Sequence, residues 1–386
     1  MTDSLTARLA EFVADFASGP AAPPESAREM TRLSALDWAA VGLAGAGEPV
    51  SRILLDLAET EAGAGQASLF AAPRKAPARM AALVNGTVSH ALDYDDTHFA
   101  HIGHPSVAVF PAALAVAETE AASLAELLDA ALIGMELSIR VGIWLGRGHY
   151  QIGFHQTATA GAFGAAAAAA RLMRLDAGAT AHVLGLTATR AAGLKAQFGT
   201  MGKPYNAGNA AAAGVEAAEL VRRGFQANPE ALDAGFGFGA THHGADAIGP
   251  ALEGLGRRWL FEGVSHKFHA CCHGLHATLE ALGLAGPAEP ADIVRVTVDT
   301  HPRWLVVCNQ PEPATGLGAK FSYGTVVAMH LLGHDTARPD AYTDALCADP
   351  ALRALRRRVE VRADPDLPET AARVGIVAAD GSVHHA

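Results

Sequence analysis

The chain has 386 residues, of which 50% are hydrophobic, 6% aromatic and 18% charged. This composition is too apolar for a disordered chain, and the length allows two domains with sizeable cores. The net charge is −11 at pH 7, and no basic stripe offsets it, which excludes a nucleic-acid-binding surface. No uncharged apolar run reaches about 18 residues, so we expect no membrane-spanning helix and no membrane partner.

Two further features bear on the compartment. Residues 1–11 contain no basic segment followed by an apolar one, so we expect no secretory signal. Four cysteines are present, none of them in a CxxC pair. We therefore expect reduced thiols and a cytoplasmic location.

The first part of the chain has the apolar spacing of amphipathic helices. Short Gly/Pro breaks separate these segments, which is typical of a helical bundle. We expect an all-helical domain over residues 1–258, with helices over 5–17, 25–45, 48–62, 75–91, 106–119, 124–145, 157–173, 177–193 and 207–223.

The pattern changes near Trp259. Apolar and polar residues alternate over 294–299, 359–362 and 373–378, which predicts half-buried strands. Asp380–Gly381 is a hairpin-turn signal, and residues 274–284 and 322–332 have helical spacing. We expect residues 259–386 to form a smaller α+β domain with a small antiparallel sheet.

The densest group of titratable residues is the segment 91–106, ALDYDDTHFAHIGHPS, which holds three Asp and three His. Carboxylates and imidazoles are metal ligands, so one interpretation is a metal site. A second is acid–base catalysis, in which an Asp orients a His that moves protons. The third is helix capping by Asp95, Asp96 or Ser106 with solvated histidines. The spacing alone leaves all three open.

A second dense segment is 266–276, HKFHACCHGLH. His273 and His276 would share one helix face at a spacing of three. A structural zinc site and a reactive cysteine at Cys271 or Cys272 are both possible readings. The alternative is that these cysteines are small buried residues at a corner of the chain.

Two other segments place a functional residue at the start of a helix. His155 precedes the Ala/Gly-rich stretch 157–173, where a helix N-terminus would keep its imidazole neutral. The alternative is a helix-capping histidine. Lys203 lies in a Gly-rich turn before a second helix, which suits a carboxylate or phosphate ligand. The spacing there is not GxxxxGK[ST], which excludes a P-loop.

Taken in order, these segments resemble the MmgE/PrpD family. The matching motifs are ALDYDDTH at 91–98 with HPS at 104–106, GFH at 153–155, GTMGKP at 199–204, residues 267–276, and AKFS at 319–322. The resemblance implies a large all-helical domain and a smaller α+β domain, with the active site in the cleft between them. It also implies a homodimer that needs no metal and no organic cofactor.

The resemblance further implies the site residues. By motif, the catalytic residues would be Asp93, His104, His155, Lys203 and Lys267, and the substrate-binding residues Thr97 and His276. Thr325 stands where dehydratase and decarboxylase members carry a tyrosine, so we add Tyr323 as a substitute substrate-binding residue. The family's C-terminal helix has no counterpart before Ala386.

The activities of the family share the removal of a proton, or of carbon dioxide, next to a carboxylate. We expect a cofactor-independent lyase acting on a small di- or tricarboxylate, in the manner of 2-methylcitrate dehydratase. The main alternative is an epimerase of a small dicarboxylate, like iminodisuccinate epimerase. A decarboxylase, a metallohydrolase and a non-catalytic member of the family are further alternatives.

Overall fold

The structure is a computed structural model that describes residues 4–16, 22–61, 63–70, 72–244 and 247–386. It divides into two compact units, Met1–His266 (unit 1) and Lys267–Ala386 (unit 2). Helices dominate the first unit, and the second combines helices with a sheet, as the sequence predicted.

Unit 1 consists mainly of α-helices. Their bounds are α1 Leu5–Ala14, α2 Glu25–Gly45, α3 Pro49–Thr60, α4 Ala78–His90, α5 Ser106–Thr119, α6 Leu124–Ile152, α7 Gln156–Leu172, α8 Ala177–Thr187, α9 Gly202–Arg222, α10 Phe238–Thr241 and α11 Gly249–Leu252. The bounds of α2 and α5 are those predicted. The predicted ends of the first and third helices, residues 17 and 62, lie outside the described residues.

One predicted helix of unit 1 begins too early. Two strands, β1 Ala67–Leu69 and β2 Ala72–Ala76, form an antiparallel hairpin in which Lys75 pairs with Ser68. Helix α4 starts only after Pro77, whose ring and missing N–H suit a helix boundary. The prediction of a helix from residue 75 was therefore wrong at its start, and unit 1 contains a small hairpin beside its helices.

Small residues let the central helices of unit 1 pack closely. Helix α7 contacts α6 and α9, and α9 also packs along α4. A Cβ on Gly86 of α4 would lie 2.8 Å from the Cα of Gly208 of α9, so the two backbones touch there. This packing fixes the end of α4 and the beginnings of α7 and α9 relative to one another.

A buried ion pair ties the end of unit 1 to helix α6. Arg140 Nε donates to Glu136 Oε1 at 2.8 Å, and its other nitrogens donate to the carbonyls of Ala251 and Arg258 at 2.7 and 2.8 Å. Glu136 in turn accepts the N–H of Phe261 at 2.9 Å. Two buried charges are thus satisfied by backbone groups of the segment that ends unit 1.

Unit 2 packs helices on a four-stranded sheet. Its elements are α12 His276–Ala285, β3 Ile293–Thr300, α13 Pro302–Val307, α14 Gly316–Ala319, α15 Tyr323–Leu331, α16 Asp344–Ala348, α17 Pro350–Arg356, β4 Val359–Ala363, β5 Ala372–Ala378 and β6 Val383–His385. The strand order is β4-β3-β5-β6. The pairs β3–β5 and β5–β6 are antiparallel, as predicted, with Gly381 in the left-handed turn of the hairpin.

The pairing of β4 with β3 is parallel, which the prediction of an antiparallel sheet did not include. Parallel neighbours need a long crossover. Here the chain from β3 to β4 supplies it with helices α13 to α17. Within the described ranges of both units, no helix has the length and apolar character needed to cross a membrane.

Candidate active site

The chain reverses sharply after α4. That helix ends at His90, and Asp93 adopts the left-handed backbone region at φ 53°. Such a conformation costs an ordinary residue about 1–3 kcal/mol and persists where the surroundings fix it. The N–H of Asp93 donates to the His90 carbonyl at 3.3 Å, which closes the turn and returns the chain to the end of α4.

Asp95 lies between two imidazoles. His90 Nδ1 is 2.9 and 3.0 Å from the two carboxylate oxygens, and His104 Nδ1 is 2.7 Å from Oδ2. Burial raises the pKa of Asp95, but His104 and His90 outweigh it and hold that pKa well below its usual range. We therefore assign Asp95 as a carboxylate that accepts Nδ1–H from His90 and makes a close ion-pair contact with His104.

Asp93 lies on the other side of His104 and contacts a lysine. Lys203 Nζ is 2.6 Å from Asp93 Oδ1, and His104 Nε2 is 3.5 Å from the same oxygen. All three side chains are buried or nearly so. Acidic and basic groups therefore alternate through this buried cluster, in the order Asp95, His104, Asp93, Lys203.

His155 completes the cluster from the start of α7. Its Nδ1 accepts from Asn206 Nδ2 at 3.2 Å, and the same amide nitrogen lies 3.3 Å from the Leu194 carbonyl, which orients the amide. Neutral His155 therefore carries its hydrogen on Nε2. Burial, followed by the nearby His90 and Lys203, lowers the pKa of His155 well below its usual value. The imidazole is neutral at physiological pH.

Three other polar residues of segment 91–106, Asp96, Thr97 and His98, have structural partners. Asp96 accepts the N–H and the hydroxyl of Ser106 at 3.2 and 2.5 Å, and so anchors the beginning of α5; burial raises its pKa to about 7. His98 Nε2 contacts the Leu260 carbonyl at 2.9 Å. Thr97 is half-buried and exchanges two backbone hydrogen bonds with Ser265. Helix capping thus describes Asp96, whereas Asp93 and Asp95 contact basic groups.

Two of the predicted site residues belong to unit 2. Lys267 and His276 are both buried. The His276 ring centroid lies 4.6 Å from that of His273 and 5.1 Å from that of His269. Burial, with help from His273 and Lys267, lowers the pKa of His276 to about 2, so this imidazole is neutral.

Tyr323 occupies the interior of unit 2. It is fully buried, its hydroxyl donates to the Gly274 carbonyl at 2.7 Å, and it lies 3.0 Å from the Thr300 hydroxyl. Thr325 is buried as well and contacts the Ser322 hydroxyl at 2.9 Å. The tyrosine hydroxyl is thus committed to neighbours within unit 2. Substrate binding by Tyr323 stays a prediction, and we leave Tyr323 out of the proposed site.

The cysteines of unit 2 are buried free thiols. Burial raises the pKa of Cys308, which removes thiolate character from this group. This environment favours the reading of Cys271 and Cys272 as small core residues over that of a reactive nucleophile.

Four donors within the described residues are close enough together to be considered for a metal ion. They are His90, Asp93, Asp95 and His104, whose ligand atoms all lie within 4.8 Å of one another. Two donors on one zinc ion are about 3.3 Å apart, given bonds of about 2.0–2.1 Å. The contacts of 2.7–2.9 Å between Asp95 and the imidazoles are hydrogen-bond distances, and Lys203 already lies on Asp93. The group is arranged as a network of hydrogen bonds and ion pairs.

Comparison with known proteins agrees with the motif order. The MmgE/PrpD N-terminal domain matches residues 7–251, and the MmgE/PrpD C-terminal domain matches residues 269–386. The chain belongs to the MmgE/PrpD family. The predicted family and the predicted two-part fold class are both confirmed.

Curated relatives of this family member include three named cis-aconitate decarboxylase. The protein from Homo sapiens is 29% identical over 305 residues, covering 75% of this chain and 62% of the relative. The protein from Mus musculus is 28% identical, covering 86% and 71%, and one from Aspergillus terreus is 26% identical, covering 80% and 68%. The chain thus spans less than two thirds of the human relative's length.

The structure brings together Asp93, His104, His155 and Lys203 in unit 1 of this MmgE/PrpD protein. The sequence did not indicate three of their partners. These are His90, Asn206 and Asp95, which is the carboxylate closer to His104. A histidine at the end of a helix, five residues before an aspartate, was the available signal for the first two. For Asn206 the signal was its position three residues after Lys203, on the same helix.

Proposed function

We propose that this MmgE/PrpD protein is a lyase that decarboxylates a small di- or tricarboxylate of the cis-aconitate type without an organic cofactor. The observation that carries the proposal is the buried chain Asp95, His104, Asp93, Lys203 beside the neutral imidazole of His155. The names of the human, mouse and Aspergillus relatives support decarboxylation over dehydration. Lys267 and His276 stay predictions from the family resemblance.

Lys203 supplies the positive charge that a substrate carboxylate needs. Its ammonium group is paired with Asp93, and a substrate carboxylate would compete for the same contact. His155 immediately precedes α7 and Lys203 lies in the first turn of α9, and the N-termini of these helices favour negative charge. A substrate anion bound there would be held by groups that are already fixed in place.

The two imidazoles have different parts in the proposed reaction. When carbon dioxide leaves, the carbon–carbon bond breaks and its electron pair stays on the substrate carbon, delocalised into the neighbouring conjugated carboxylate. His155 offers Nε2–H to that developing charge, as a preorganised donor in a water-poor site does. Protonated His104, which lies between Asp95 and Asp93, delivers its proton to the substrate carbon that lost carbon dioxide. Each proton-transfer group contributes about 10²–10⁴-fold to the rate.

Epimerisation is the second candidate, and one observation favours it. His104 and His155 are anchored independently, one on Asp95 and the other on Asn206. Removing a proton from one face of a carbon and returning it to the other requires two such separately held groups.

A proton NMR screen in D₂O with EDTA tests the proposal. The panel contains cis-aconitate, citrate, 2-methylcitrate and iminodisuccinate. We expect cis-aconitate to lose carbon dioxide and to take one deuterium at carbon. Deuterium entry without a new product would indicate an epimerase, and an alkene formed with loss of water would indicate a dehydratase. Activity that appears only after zinc replaces EDTA would instead indicate that His90, Asp93, Asp95 and His104 hold a metal ion.

Variants connect the activity to the cluster. His104→Gln and Lys203→Met should abolish most of the decarboxylation seen in the same assay. His182→Asn is the matched control, because His182 on α8 contacts the carbonyl of Ala227 through Nδ1 and belongs to no part of the cluster. Wild-type turnover in His104→Gln would rule out its assignment as the proton carrier.

A further inference from the structure

His90 is a buried imidazole that no step of the proposed reaction uses. Its Nδ1 contacts both oxygens of Asp95, and its ring centroid lies 4.6 Å from that of His104 and 5.9 Å from that of His155. Its Nε2 is buried and has no hydrogen-bond partner in the part of the chain that the structure describes. A buried polar group at the centre of such a cluster calls for an explanation.

We propose that His90 is a positioning residue that acts on His104 through the shared carboxylate of Asp95. The Nδ1–H of His90 takes part of the acceptor capacity of Asp95 and holds the carboxylate in one orientation. Oδ2 is then left 2.7 Å from His104 Nδ1, which directs the opposite nitrogen of that ring towards Asp93. The inference rests on the proposed function, in which His104 carries the proton.

The shared carboxylate also sets how strongly His104 holds its proton. The Nδ1–H of His90 partly neutralises the charge of the Asp95 carboxylate, so Asp95 attracts the nearby His104 ring less strongly than it would alone. Removing the His90 donor would therefore strengthen the attraction between Asp95 and protonated His104. The other charged or titratable groups around this pair come from the segment after α4, the start of α7 and the first turn of α9. They are Asp93, Asp96, His101, His155 and Lys203.

Two substitutions of His90 distinguish its role as a hydrogen-bond donor to Asp95 from its role in filling space. His90→Asn places its side-chain nitrogen near the position of Nδ1 and keeps a donor for Asp95, whereas His90→Leu removes the donor. We expect His90→Asn to keep kcat within about threefold of wild type. We expect His90→Leu to lower kcat about tenfold or more with KM unchanged, since outer partners of a catalytic group typically have effects of this size. If His90→Leu does not fold, His90→Gln serves, because its nitrogen reaches the Nε2 position instead.

A second measurement needs no substrate. Long-range ¹H–¹⁵N NMR of histidine-labelled protein follows the titration of His104, identified by its loss in His104→Gln. The titration midpoint of His104 should rise by about half a pH unit or more in His90→Leu and stay in place in His90→Asn. If the substrate panel shows no turnover, this shift still tests the inference separately from the proposed function.

Two results would overturn the inference. One is an unchanged His104 titration and unchanged kcat in a folded His90→Leu or His90→Gln protein. The other is a loss of kcat in His90→Asn as large as that in His90→Leu, because the ring's Nε2 would then itself meet the substrate.

Discussion

Lys203 Nζ lies 2.6 Å from Asp93 Oδ1, and the two residues are 5% and 2% exposed. This pair joins the first turn of α9 to the left-handed turn that follows α4. Both charges lose hydration on burial, so each depends on the other for compensation. The same contact that compensates the two buried charges holds the ammonium group where a substrate carboxylate is proposed to bind.

Lys203→Met should destabilise the protein and abolish turnover. Removing one partner of a buried ion pair leaves the other charge uncompensated and costs about 3–5 kcal/mol of unfolding free energy. Adding Asp93→Asn to Lys203→Met should restore part of that stability without restoring activity. Urea unfolding and the decarboxylation assay measure the two effects, and a single variant as stable as wild type would contradict the prediction.

His155→Ala should lose turnover by about 10²–10⁴-fold and still fold. The His155 side chain makes no capping hydrogen bond, so α7 keeps its beginning when the ring is removed. Asn206→Leu should have a smaller effect. It removes the hydrogen bond to His155 Nδ1 that favours the tautomer with Nε2–H, but it leaves the imidazole in place. Circular dichroism verifies folding and the substrate assay gives kcat; equal losses in the two variants would mean that Asn206 has more than a positioning role.

The pH dependence of kcat/KM should show no titration of His155 near 6.5. Burial, with His90 and Lys203, lowers the pKa of His155 well below this value, so its neutral form persists as the pH falls through 6. Any acid-side loss of activity between pH 6 and 7 should therefore remain in the residual activity of His155→Gln. If the acid-side fall of the kcat/KM profile disappears in His155→Gln, the titration belongs to His155 and this expectation is contradicted.

His101 should make the protein sensitive to acid. Burial lowers its pKa to about 3, whereas the unfolded chain takes up the proton near 6.5. The unfolded state then binds more protons, so stability is full above about pH 6.5 and falls as the pH drops towards 3. Each pKa unit corresponds to about 1.4 kcal/mol, so this residue contributes several kcal/mol over that interval.

The measurement is the urea midpoint of wild type and His101→Gln at pH 7 and pH 5. The wild-type midpoint should fall more steeply between the two pH values, because the variant lacks this group. The ring packs against Gly103 and Gly142, so the variant is expected to be less stable at both pH values, and only the difference in slope is diagnostic. Parallel pH dependences would contradict the prediction.

Tyr323→Phe should lower stability and leave catalysis unchanged. The substitution removes a donor from the buried carbonyl of Gly274, and an unsatisfied buried acceptor costs about 1–3 kcal/mol. Thermal or urea unfolding should show this loss, while kcat and KM stay at wild-type values. A raised KM without a change in stability would return Tyr323 to the substrate site.

The sequence by itself determined the elements and the family. Periods of 3.6 and 2 residues mark α2, α5, β3 and β5, because burial of one helix stripe or one strand face repeats with the backbone geometry. The Asp380–Gly381 signal marked the last hairpin, because a glycine adopts the left-handed turn at Gly381 without strain. The MmgE/PrpD motifs likewise lie in the sequence itself, and they gave Asp93, His104, His155 and Lys203.

Only the tertiary structure decided which of these groups touch. Asp93 and Lys203 are 110 residues apart, and His155 and Asn206 are 51 apart, so no local pattern could pair them. Whether Asp93 or Asp95 faces His104 Nδ1 depends on the left-handed turn at Asp93, which reverses the direction of neighbouring side chains. The parallel pairing of β4 and the burial of Tyr323 likewise depend on the crossover through α13 to α17 and on packing within unit 2. Contacts between distant residues are set by how elements pack, and hydrophobic periodicity records only which face is buried.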